Sequence, residues 1–130
     1  MAHYFTREEA EALLPAITIV LETIQGCGMK LRELEQDLAE LHAQAANNGH
    51  HLHARIATLQ KSLVQQTNVL RTALHELQTF GCELKDPDTG LIDFLSLRDG
   101  QEIYLCWRLG EERIAFWHDL DTGFAGRQPL

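Results

Sequence analysis

Hydrophobic positions along the chain follow two periodicities in turn. Ala10, Leu13, Leu14, Ile17, Val20, Leu21 and Ile24 recur at steps of three and four, the spacing of one helix face. Phe5-Thr6-Arg7-Glu8-Glu9 ahead of them has the form of a helix start, with Thr6 as cap and Glu9 three residues on as in a capping box. Pro15 removes a backbone donor and predicts a kink, and Gly26-Cys27-Gly28 predicts a bend or break. The pattern resumes at Leu31, Leu34, Leu38, Leu41 and Ala45 and stops at Asn47-Asn48-Gly49. A second helix carries Leu52, Ile56, Leu59, Leu63, Gln66, Leu70, Ala73, Leu77 and Phe80, with Gly81 as terminator. Its period of about 3.5 and the short connection predict an antiparallel helical hairpin, helices 29–46 and 52–80 sharing a leucine seam.

After Gly81 the period changes to two. Residues 85–90 form a turn-rich link, Leu91 to Leu97 alternates, Asp99-Gly100 is a two-residue hairpin signal, and Gln101 to Leu109 alternates again. A second turn at Gly110-Glu111 and a strand from Glu112 to about His118 complete a three-stranded meander, leaving residues 119–130 as loop. The first turn sets Asp93 opposite Cys106, Phe94 opposite Leu105 and Ile92 opposite Trp107. The second sets Leu105 opposite Phe116 and Trp107 opposite Ile114. One face then gathers Ile92, Phe94, Ile103, Leu105, Trp107, Ile114 and Phe116, with His118 at its edge, and requires cover by the helices. Asp93, Cys106, Arg108, Arg113, Tyr104, Ala115 and Trp117 occupy the other face. The expected class is α+β: a long antiparallel helical hairpin with a kinked first helix, followed by a three-stranded antiparallel meander packed on it. The length of 130 residues fits one domain, with 1–81 as hairpin and 82–130 as meander and tail.

The net charge of -8, with no Lys/Arg cluster, disfavours a nucleic-acid partner. Charge is divided between the helices: residues 7–46 hold eight acidic and three basic side chains, residues 52–80 one acidic and three basic. Uninterrupted apolar runs are short and no signal-like segment opens the chain, so no membrane partner and a cytoplasmic location are expected. Cys27, Cys82 and Cys106 are odd in number and lack CxxC spacing, which fits reduced, partly buried thiols better than disulfides.

Several stretches stand out together: Phe5-Thr6 with Glu9-Ala10, Lys85-Asp86, Gly90-Leu91-Ile92-Asp93-Phe94, Leu105-Cys106-Trp107 with Gly110-Glu111, Trp117-His118, and Gly123-Phe124 with Arg127. In these the chain resembles, almost end to end, an uncharacterised family of short bacterial and archaeal proteins classed as a domain of unknown function. The resemblance implies a domain type and brings no activity with it.

Two Asp-Thr-Gly tripeptides, 88–90 and 121–123, resemble aspartic-protease signatures, but a chain more than half helical is the wrong setting and turn chemistry accounts for both. The same segments fall short of a calcium loop, with Gly one position early and no closing Glu. His50, His51 and His53 cluster at the hairpin tip, where a solvated loop is a poor metal cage. Asp93, Cys106, Glu111 and His118 form the richer set, with Arg108, Arg113 and Arg127 available to bind a ligand. Their N, O and S donors suit a divalent transition metal such as Zn, although the register set by the two turns puts His118 on the opposite face from Asp93 and Cys106. An Asp93–arginine pair with Cys106 packed as an apolar group is a structural alternative, and a thiol activated by Arg108 or Arg113 a third. Two function classes follow: an interaction or assembly module forming a homodimer through its helices, or a metal- or small-ligand-binding protein, enzymes included, with its site on the meander.

Overall fold

A computed structural model describes residues 2–48 and 50–130, leaving aside the side chains of residues 47, 48 and 50. Helix α1 spans Arg7–Asn48 and helix α2 spans His53–Thr79, joined through a 3-10 turn at His50–Leu52. The strands are β1 (Glu83–Asp86), β2 (Leu91–Arg98), β3 (Gln101–Arg108), β4 (Phe116–Asp119) and β5 (Gln128–Pro129). They form one antiparallel sheet in sequence order. The α+β architecture and hairpin thus stand, with five strands in place of three: β1 and β5 extend the meander at its two edges.

The capping box is present, since the Thr6 N–H donates to Glu9 Oε1 (3.0 Å) and the Glu9 N–H to Thr6 Oγ1 (3.1 Å). The expected break at Gly26–Gly28 is not. Helix α1 runs unbroken through Pro15 and both glycines. Cys27 is buried between those glycines, and tertiary packing of this kind outweighs the roughly 1 kcal/mol that each glycine costs a helix. A window of α1 within Arg7–Ala46 reaches a mean hydropathy of 1.5, enough by length and composition for a membrane span. Uninterrupted apolar runs do not reveal this, because polar residues interleave with the apolar ones. In the fold its apolar stripe supplies core.

That core joins Ala10, Leu14, Ile17, Leu21 and Ile24 of α1, Ala73 and Leu77 of α2, and Ile92, Phe94, Ile103, Leu105 and Trp107 of the sheet. Just past the end of α2, Gly81 has a φ of +88° that brings the chain under the Phe5 ring, where a Cβ would lie 2.9 Å from a ring carbon. Phe5 stacks edge-on against Phe94 at 5.1 Å. The Asp99-Gly100 turn has both residues at positive φ, as a two-residue hairpin of this hand requires. It gives the β2–β3 register expected: Asp93 opposite Cys106, Phe94 opposite Leu105, Ile92 opposite Trp107.

The β3–β4 register differs by one residue. Leu105 pairs with Trp117, Cys106 with Phe116 and Tyr104 with His118. A turn does close at Arg108–Glu111, where the Glu111 N–H donates to Arg108 O (3.0 Å). The chain then continues through Glu112, Arg113 and Ile114 before pairing begins. Ile114 is fully buried, and its N–H donates to Glu11 Oε1 of α1 (3.2 Å). Docking Ile114 on α1 takes up the residues that a tight hairpin would have paired. A slip of one residue turns every β4 side chain to the opposite face. Trp117 therefore joins the helix-facing side, and Phe116 and His118 turn away from it.

Candidate functional site

The register of β3 and β4 brings His118 to the face that carries Asp93 and Cys106. All three are buried, at 2%, 2% and 0% exposure. They stand on three neighbouring strands, and their ligand-type atoms lie within 4.8 Å of one another. The expectation that His118 sits across the sheet from the other two is corrected by this placement.

His118 Nε2 lies 3.0 Å from Asp93 Oδ1, and Nδ1 lies 2.7 Å from the carbonyl oxygen of Asp119. A carbonyl can only accept, so Nδ1 carries a proton. One further proton is then shared between Nε2 and the Asp93 carboxylate. The partner of Asp93 is thus a histidine and not an arginine. Burial pushes the Cys106 thiol up to about 12, the Asp93 charge adds to this, Arg127 opposes it, and a hydrogen bond to Asp93 raises it further. Cys106 is therefore a neutral donor at physiological pH, the reverse of an arginine-activated thiolate.

Glu111 stands apart from this cluster. It accepts from Arg127 Nη2 at 2.7 and 3.0 Å and from the Arg108 N–H at 2.7 Å. Arg127 also donates to the Cys106 carbonyl (3.3 Å) and stacks over Phe116 (4.1 Å) and Phe124 (4.7 Å). In this way the C-terminal segment, expected to be loop, is fastened across the face, and β5 pairs with β4. Arg108 lies over the Phe124 ring at 5.3 Å. Arg113 is exposed and lines a shallow cleft with Glu11, Pro15 and Thr18.

Residues 3–130 match the family model described as uncharacterized conserved protein (DUF2203). The chain belongs to the DUF2203 family. No curated protein and no solved structure matches it. The family description names no activity, so chemistry in this DUF2203 chain is argued from its own geometry.

Two further side chains border the cluster. Tyr104 stands opposite His118, with ring centroids 5.5 Å apart, and Glu83 stands opposite Asp93. A hydrogen bond to Glu83, then burial, pushes the Tyr104 hydroxyl up to about 12. Glu83 lies on β1, a four-residue strand whose one apolar member gives no periodicity to find it by. The two Asp-Thr-Gly segments are hydrogen-bonded turns: Asp86 accepts from the Asp88 N–H (3.0 Å) and Thr89 Oγ1 (2.9 Å), and Asp119 O from the Thr122 N–H (3.3 Å). At the hairpin tip, His51 and His53 are exposed, while Gly49 and the His50 side chain lie outside the described residues.

Proposed function

We propose that the protein is a cytoplasmic assembly module that forms a homodimer by pairing its helical hairpins. The observation that carries this reading is a set of large apolar side chains left in water on both helices of the hairpin. Ile19 is 68% exposed, Met29 58%, Val64 58% and Val69 45%. Thr23, Asn68, Val69 and Thr72 line a shallow groove between α1 and α2. Ile19 stands one turn before Thr23, and Val64 one turn before Asn68. Exposed apolar side chains beside a groove between two helices are what a second pair covers in a four-helix bundle. Charge selects a second copy as the occupant. A two-fold axis across the groove sets the acidic α1 of one protomer over the basic α2 of its partner. The three unpaired thiols suit a reducing compartment.

Sedimentation equilibrium at micromolar concentration should return twice the chain mass of 14.7 kDa. Ile19→Glu with Val69→Glu should return the single-chain mass and leave helix content unchanged. A wild-type mass of one chain overturns the reading.

A further inference from the structure

We infer that Asp93, Cys106 and His118 form a binding site for a divalent transition metal, with Zn2+ as the natural occupant. This site lies on the sheet face turned away from the helical core, so it is independent of the dimer proposed above.

The donor set selects the ion. One carboxylate oxygen, one thiolate sulfur and one imidazole nitrogen suit Zn2+ or Co2+, whereas Mg2+ and Ca2+ take six or more oxygens. Charge selects it too. As the cluster stands it is neutral overall: the Asp93–His118 pair shares one proton and Cys106 keeps its own. A dication would release those two protons to solvent, leaving one carboxylate and one thiolate to balance two positive charges. The buried site stays neutral on occupation, which avoids the penalty for an unpaired interior charge. A coordinated thiol is deprotonated outright, so the proton on Cys106 is no barrier to ligation.

Orientation is the third support. The Nδ1–H of His118 is engaged by the Asp119 carbonyl, which directs Nε2 toward Asp93 and Cys106. Metal-ligating histidines are held by the same device, a backbone carbonyl on the far ring nitrogen. Ligand atoms of a tetrahedral site stand about 3.3–3.8 Å apart, given bonds of ~2.0–2.3 Å. The present spread of at most 4.8 Å, with 3.0 Å between Asp93 and His118, comes within side-chain adjustment of that figure. Three protein donors leave one position of a tetrahedral site to be filled by a non-protein ligand.

The test uses full-length protein without a histidine tag, stripped with chelator and titrated with Co2+ alone. One equivalent should bind and give thiolate-to-cobalt charge-transfer absorption that Zn2+ abolishes. Cys27→Ala and Cys82→Ala should keep the band, and Cys106→Ser should lose it. Asp93→Asn and His118→Ala should weaken binding beyond the ~10–100-fold that loss of a supporting second-shell group brings. If Cys106→Ser fails to fold by circular dichroism, retention of the band in the other two cysteine variants still assigns the sulfur to Cys106. Absence of the band in wild-type protein overturns the site. So does a band that follows Cys27 or Cys82, or cobalt bound without any sulfur signature, as the tip histidines would hold it.

Discussion

The end of the hairpin that meets the sheet and the end that extends beyond it carry the same leucine spacing and bury it to different depths. At the sheet end Ala10, Ile17 and Leu21 are fully buried, and Ile24 and Leu77 are 2% exposed. Along the outer arm only Leu34, Leu41 and Ile56 of the seam are buried, while Leu31, Leu38, Leu59 and Leu63 are half-buried. The contrast comes from the number of neighbours. Near the sheet each helix packs against its partner and against a third layer. Gln25 and Arg32 of α1 reach the β1–β2 turn at Asp88, through contacts of 2.7 and 3.4 Å. Past that point two helices face one another alone, and a two-helix contact covers a single stripe of each. Helical periodicity therefore predicts which way a side chain points, and the layers around it decide how much water it loses.

The sharpest way to break this contrast is a truncation at its deepest point. Phe94 is fully buried between the β2 backbone and the helix layer, edge-on to Phe5. Phe94→Ala should destabilise the fold by about 3–5 kcal/mol in urea unfolding, with an unchanged denaturant slope. A loss under about 1 kcal/mol would mean that the sheet-end core collapses to fill the space, and the two ends would then differ little.

A second test uses pH at the junction of α2 and β1. Burial pushes the Cys82 thiol up to about 11, from an ordinary value near 9, and the Glu83 charge adds to this. The folded state therefore favours the protonated thiol. Its contribution is complete below pH 9 and is lost as pH rises from there through 11. Between pH 8 and 10 the stability advantage of wild type over Cys82→Ala should shrink by about 1.4 kcal/mol, the equivalent of one proton over one pH unit. A constant difference across that interval would place the thiol in water and remove it from the core.

Most of the helical part was legible in the sequence because its signals are local. The Thr6–Glu9 box, the end at Asn48 and the extent of α2 depend on residues within a turn of one another. So does the Asp99-Gly100 turn, which carried the pairing of Asp93 with Cys106. The misread elements depend on contacts distant in sequence. Helical continuity through Gly26 and Gly28 rests on packing around Cys27. Strand β5 exists because Arg127 is fastened to Glu111, Phe116 and the Cys106 carbonyl. The β3–β4 register turns on one docking event, Ile114 against α1, sealed by Glu11 some hundred residues earlier. That shift decides the candidate site, since it moves His118 from one face to the other. Residue types had singled out Asp93, Cys106 and His118, and a one-residue error in a loop hid their convergence.

The smallest expected effect lies in the arm. Leu63 points into the seam but is only half-buried in a single chain. Full burial of a leucine makes its truncation cost about 2–5 kcal/mol, and partial burial scales this down, so Leu63→Ala should cost about 1 kcal/mol in the monomer. The monomer is obtained with Ile19→Glu and Val69→Glu, which place charges beside the groove and leave the seam intact. In the proposed dimer the second hairpin would cover the arm, and exposed parts of the seam would lose more water. Leu63→Ala should then cost measurably more in wild-type protein than in the charged variant. Protein concentration gives an independent handle, because a dimer's unfolding midpoint rises with concentration and a monomer's does not. Equal costs in both backgrounds, with midpoints indifferent to concentration, would show that the arm stands in water as an unpartnered hairpin. A cost near 4 kcal/mol in the monomer itself would instead remove the contrast between the two ends of the molecule.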